Sequence, residues 1–140
     1  MTKNYKILAK FIRDMSVETS DIDTYLYVRD AISNYSLNID IKSKFLKDKI
    51  VQVETTLTYS DKTQSQKKSL FEVIFATVIK LSDEIKDKKD LGKILLCDLQ
   101  NEIYPELEKT FLDVLHGSGY PELTFNKKVD FDELYKKNQN

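Results

Sequence analysis

The side chains that carry chemistry are few and far apart. His116 is the single histidine and Cys97 the single cysteine. A zinc site needs several such ligands to converge and a nucleophile needs a base in reach, so neither constellation can be assembled. His116 sits where a helical run ends, a place where the helix dipole favours a cation. Cys97 lies on the same run among apolar neighbours and reads as a small core residue. The three glycines, Gly92, Gly117 and Gly119, are not arranged as a phosphate-binding loop. Carboxylates are many but scattered through solvated positions, and no pair stands out as general acid and base. An enzyme is disfavoured, and no cofactor or metal is expected.

The totals bound the rest. A chain of 140 residues is one domain, spanning 1–140, and can bury roughly 70% of its unfolded surface. With 41% hydrophobic and 32% charged residues it is neither disordered nor membrane-embedded on average. The 22 basic and 23 acidic residues nearly cancel, so no overall field or basic block draws nucleic acid. Nowhere do about 18 apolar residues run together as a membrane span needs. Lys6 and Lys10 interrupt Tyr5 to Ile12, so no apolar core of the signal-peptide kind is present. One cysteine cannot form an internal disulfide, which fits a reducing compartment. A soluble cytoplasmic protein without direct membrane insertion is expected.

Alternation supplies the elements. Tyr35, Leu37, Ile39 and Ile41 point one way while Ser36, Asn38, Asp40 and Lys42 point the other, as in a half-buried strand. Ile50 to Tyr59 repeats this, with Val51, Val53, Thr55, Leu57 and Tyr59 opposed to Gln52, Glu54, Thr56 and Thr58. The polar stretch Ser60 to Lys68 separates it from Ser69 to Leu81, which predicts an antiparallel hairpin with a long loop. This next strand is apolar on both faces: Leu70, Ile74, Ala76 and Val78 oppose Phe71, Val73, Phe75, Thr77 and Ile79. Either it is a central strand covered on both sides, or one face is covered only in an oligomer or by a bound chain. Tyr5 to Glu18 is a further strand, with Ile7, Ala9, Phe11, Met15 and Val17 on one face and a bulge expected near Ile12 to Asp14. Asp21 to Ser33 reads as loop or short helix.

From Asp90 the period becomes four: Leu91, Leu95, Leu99, Ile103, Leu107 and Phe111 form one stripe. Steps of four drift about 40° each on a 3.6-residue helix, so a stripe this long calls for curvature or a break, which Pro105 can supply. With Ile94, Leu96, Leu112, Val114 and Leu115 the stripe is too broad for one contact surface. Asp130, with Glu133 three residues on, opens a short terminal helix carrying Phe131, Leu134 and Tyr135.

The order of several short motifs resembles the SecB family of export chaperones. Arg13 to Glu18 is similar to the family's first strand, Leu37 to Asp40 to its second, and Leu70 to Val73 to its fourth. Tyr104 and Pro105 stand for the aromatic-Pro step of the helix, and Tyr120, Pro121, Leu123, Val129, Phe131, Asp132, Leu134 and Tyr135 follow the closing pattern. The resemblance covers about Tyr5 to Tyr135. It departs in the near-neutral, lysine-rich composition, in Ala76 and Thr77 where the family tends to have a glycine pair, and in a tail of only Lys136 to Asn140.

The resemblance implies an α+β fold: a four-stranded antiparallel sheet with a long helix and a short C-terminal helix, assembled as a homotetramer, a dimer of dimers. It implies an ATP-independent holdase that binds unfolded secretory precursors and passes them to the SecA motor. Tyr35, Leu37, Ile39, Phe125, Leu134 and Tyr135 would line the client groove. Asp14, Glu18, Leu70 and Glu72 match the family's SecA-docking surface; by alternation the three carboxylates share an outward sheet face with Asp40 and Glu54. Some family members serve a toxin-antitoxin system instead. A competing class is a small apolar-ligand carrier, since a sheet wrapped by a helix can enclose a pocket.

Overall fold

In the computed structural model, residues 4–61, 67–85, 87–125 and 128–138 are described. Four strands alternate with the sequence: β1 (Tyr5–Glu18), β2 (Tyr35–Phe45), β3 (Ile50–Asp61) and β4 (Leu70–Leu81). They form one antiparallel sheet in the order β1-β4-β3-β2. β2, β3 and β4 follow one another as a meander, and β1 pairs with β4 at the far edge. The polar stretch after Tyr59 begins with the last two residues of β3, and residues 62–66 lie outside the described residues.

Period two in β3 is strict. Val51, Val53, Thr55, Leu57 and Tyr59 are buried, and so are Phe71, Val73, Phe75, Thr77 and Ile79 on β4. They pack beneath a helical run made of α2 (Lys88–Lys93), a π-helical turn (Ile94–Asp98) and α3 (Leu99–Gly117). Leu95, Leu99, Ile103, Leu107 and Phe111 are all buried, so the stripe with period four is the face on the sheet. The irregularity in the run is the π turn, while the helix runs unbroken through Pro105. A π turn takes up an extra residue per turn and offsets the drift of the step from Leu95 to Leu99.

The helices cover only one face of β4. On the other, Leu70 is 44% exposed and Ile74 and Val78 are half-buried. The strand is therefore central within the sheet but has no second layer over it in this chain. Ala76 is buried there, flanked by Phe11 and Glu54 in the register, and Arg13 reaches across β4 to pair with Glu54.

β1 holds the expected bulge between Ile12 and Asp14 and a second between Ile7 and Ala9. Two bulges invert the phase of the strand between them. Ile7, Met15 and Val17 lie on the helix side opposite Ile79, Val73 and Phe71, as expected. Ala9 and Phe11 do not: they pair with Val78 and Ala76 on the outer face, and Lys10 takes the inner position instead. There its Nζ lies 2.9 Å from Glu106 Oε2 on α3.

Asp21 to Ser33 resolves into a helix, α1 (Ile22–Ala31), and a 3-10 turn at Ile32–Asn34. Asp21 caps α1 by accepting from Thr24 N at 2.8 Å. After α3, Gly119 adopts φ 112°, and a Cβ there would meet Tyr25 Cε1 at 2.5 Å. That position admits only glycine, and the Tyr25 hydroxyl donates to its carbonyl at 2.7 Å. His116 ties the following segment down through Nε2 and Leu123 O at 2.7 Å.

Candidate functional site

Beside the β2 edge of the sheet lies an open groove of about 840 Å³. Tyr35, Leu37 and Ile39 alternate onto one side of it because they share the inner face of β2. Tyr59, opposite Leu37, continues that side into the sheet. Phe125 packs on Tyr59 with ring centroids 5.4 Å apart and stacks on Phe111 of α3 at 6.2 Å. Behind them Tyr35, Tyr59, Phe71 and Tyr120 form a chain of aromatic contacts. Burial pushes the Tyr35 and Tyr59 hydroxyls up from their ordinary values, so this aromatic floor stays uncharged at neutral pH.

The opposite wall is α4 (Phe131–Asn138) with the segment before it. Asp130 Oδ1 accepts from Glu133 N at 3.1 Å, the N-cap that the sequence predicts. Phe131 is buried edge-on against Tyr104, 5.2 Å between centroids. The Cys97 thiol donates to Asp132, and the Tyr135 hydroxyl donates to Lys89 O at 3.1 Å. These three contacts fix the rotation of α4, leaving Asp130, Glu133, Leu134 and Lys137 toward the groove.

Of the six expected groove residues, Tyr35, Leu37, Ile39, Phe125 and Leu134 line it. Tyr135 does not. Adjacent residues of a helix point about 100° apart, and Tyr135 shares the face of Phe131, turned toward α2, where its hydroxyl reaches Lys89 O. Sequence reasoning missed Ile32, Tyr59, Leu123 and Val129, which also line the groove. Tyr59 was recoverable as an inward residue of β3 from alternation alone, whereas its register with Leu37 depends on the turn between the strands.

The outer sheet face carries the second constellation. Glu18 sits opposite Leu70, Glu72 between Ser16 and Thr58, and Asp14 opposite Ile74. All four expected residues therefore share one end of one face, with Asp40 opposite Thr56 two strands away. Glu72 is half-buried, with the Thr58 hydroxyl donating to its Oε2 at 3.4 Å, and Asp14 and Glu18 are exposed. Glu54 lies on this face but is neutralised by Arg13. The arrangement can hold a basic surface and add an apolar contact through Leu70. Among the described residues no three histidine, cysteine, aspartate or glutamate side chains converge as metal ligands. No described helix is long and apolar enough to cross a membrane.

Comparison with known proteins places these features in a family. The family model described as "SecB: Preprotein translocase subunit SecB" matches residues 1–140. A chain of Pelagibacter ubique, provisionally named protein-export protein SecB, is 51% identical over 140 residues, all of both chains. The protein-export protein SecB of Mesorhizobium japonicum is 22% identical over 131 residues, 92% of this chain and 75% of that one. Among solved structures, a SecB-like chaperone of Mycobacterium tuberculosis, in complex with a peptide from an antitoxin, aligns with TM-score 0.61 at 12% identity. The alignment covers 89% of this chain and 91% of that one.

Proposed function

The chain belongs to the SecB family of protein-export chaperones, which are not enzymes, and from that premise we propose that it is an ATP-independent holdase. It binds unfolded secretory precursors in the cytoplasm and delivers them to the SecA motor. The groove carries this reading. It is open, floored by aromatic and aliphatic side chains and edged by charge, which suits an extended apolar segment of any sequence. Each ~100 Å² of client apolar surface buried contributes about 2.5 kcal/mol, strong in sum and indifferent to residue order. The open shape fits a small-ligand carrier poorly, since carriers enclose most of the ligand surface. The Mycobacterium neighbour shares the fold at 12% identity, and its antitoxin partner is not carried over to this chain.

The acidic end of the outer face, Asp14, Glu18 and Glu72 with Leu70, is the proposed SecA-docking surface. Exposed ion pairs give little affinity singly, but a patch steers a basic partner and fixes its register. The working form is proposed to be a homotetramer, a dimer of dimers. The half-covered outer face of β4 and the exposed Leu8, Phe11, Ile12 and Met15 on edge strand β1 support this assembly.

Two substitutions separate the two surfaces. Leu37→Arg places a charge in the groove at a half-buried site, so the variant is expected to keep a mass about four times 16.4 kDa yet stop slowing the aggregation of a denatured client. Glu72→Lys is expected to keep that protection and to weaken SecA binding about tenfold at low salt. A folded Leu37→Arg protein that protects clients as well as the parent overturns the groove assignment. Unchanged SecA affinity in Glu72→Lys overturns the docking surface.

A further inference from the structure

The turn that joins β2 to β3 interleaves exposed apolar side chains with lysines. Every residue from Lys42 to Lys49 is exposed, and among them stand Phe45, 56% exposed, and Leu46, 45% exposed. Lys42, Lys44, Lys47 and Lys49 surround this apolar pair in sequence. The turn is built rather than loose. Leu46 N donates to Ile50 O at 2.8 Å, Ile50 N to Lys47 O at 3.2 Å, and Leu81 N ties the base to Lys49 O at 2.9 Å. Asp48 and Lys49 hold left-handed φ values of 61° and 64°, a conformation that non-glycine residues seldom adopt.

The register gathers more lysines at this end of the sheet. Lys80 pairs with Ile50 and with Lys6, and both lysines are exposed on the outer face with Lys42 and Lys44. The acids nearby are Asp40, Asp48, Glu54, Asp83 and Glu84; Glu54, opposite Lys42 in the register, is taken by Arg13, and Asp83 by Lys49 at 2.5 Å. Among the described residues Lys42, Lys44 and Lys47 have no carboxylate partner. The near-zero net charge thus hides a basic tip at one end of the face and the acidic cluster at the other.

We propose that the β2–β3 tip is a peripheral docking element for an anionic phospholipid surface. The lysines meet the headgroups while the Phe45 and Leu46 side chains reach the boundary with the acyl chains, no segment crossing the bilayer. Charge complementarity selects an anionic partner, and two features select lipid among anionic partners. The tip has an exposed apolar pair at its centre, which an interface between headgroup and hydrocarbon rewards and a polyphosphate backbone does not. It also has no arginine, the side chain that bidentate phosphate and carboxylate recognition favours, whereas lysine acts as a hydrated point charge suited to a fluid headgroup layer.

Co-sedimentation of the full chain with mixed phosphatidylglycerol–phosphatidylcholine vesicles tests this, with phosphatidylcholine alone as control. Binding to the anionic vesicles only is expected, falling as salt rises. Lys44→Glu with Lys47→Glu should weaken it at least about tenfold. Phe45→Ser with Leu46→Ser, which leaves the charge unchanged, should also weaken it about tenfold. Circular dichroism checks that both variants fold, as exposed positions predict. No binding to anionic vesicles, or equal binding to neutral ones, overturns the proposal. So does binding that the serine pair leaves intact, or a single-stranded oligonucleotide that binds as tightly through Phe45 and Leu46. An acidic protein surface or a second copy as the true occupant would appear as failure of the vesicle assay.

Discussion

Cys97 and Asp132 hold α4 to the π turn through a thiol donor and a carboxylate acceptor. Burial first, and the Asp132 hydrogen bond second, push the thiol up to about 11 from an ordinary value of about 9. Folding therefore favours the protonated thiol. Its contribution is whole below about pH 9 and drains away as pH climbs through about 11. The thiolate is the reactive form, and two pKa units are about a hundredfold in its population. Native protein at pH 8 should accordingly react with a thiol reagent at least about a hundredfold more slowly than protein in urea. Equal rates in the two states would show that the thiol is neither buried nor bonded. The sequence reading of Cys97 as an inert core residue agrees with its 3% exposure, but the hydrogen bond to Asp132 joins residues from two elements and leaves no mark on either segment alone.

At the scale of the element, the π turn and the bulges are the departures from regular period. Gln100 is fully buried, accepts from the Thr55 hydroxyl at 2.9 Å and donates to Leu95 O at 3.2 Å inside the π turn. Gln100→Leu would leave the Thr55 hydroxyl buried without its acceptor, at a cost of about 1–3 kcal/mol. Urea unfolding should show that loss, with the slope unchanged. A neutral result would mean that the turn holds itself. Strands β2 and β3 were legible because alternation persists along their whole length. β1 was legible as a strand but only partly in phase, since Phe11 and Ala9 change faces between two bulges and only the bulge beside Arg13 left a sign, a charge out of period. The drift of the period signals a break in the helical stripe, but the break lies at residues 94–98 and not at Pro105, and their run of Ile, Leu and Cys gives no local signal of a π turn. In the candidate groove, alternation on β2 found Tyr35, Leu37 and Ile39, while Tyr135 was misplaced because the rotation of α4 depends on Phe131 and Asp132 finding partners far away in sequence.

For the molecule as a whole, the connection of β1 has a consequence in time. Phe45 meets Val51 across one tight turn, but Glu18 must meet Leu70 and Tyr5 must meet Leu81. Every contact of β1 thus closes a loop many times longer than the hairpin does, and closure entropy rises with loop length. On refolding, pulse-labelled hydrogen exchange should protect the amides of β3 before those of β1. Simultaneous protection would show that the sheet closes in one step. A ribosome makes the disparity larger, because it releases β1 first and β4 much later. Until Leu81 is made, Ile7, Phe11, Ile12, Met15 and Val17 are an extended apolar stretch with no strand beside them. A nascent copy of this chaperone therefore passes through a stage in which its own first strand resembles the segments that finished copies are proposed to hold.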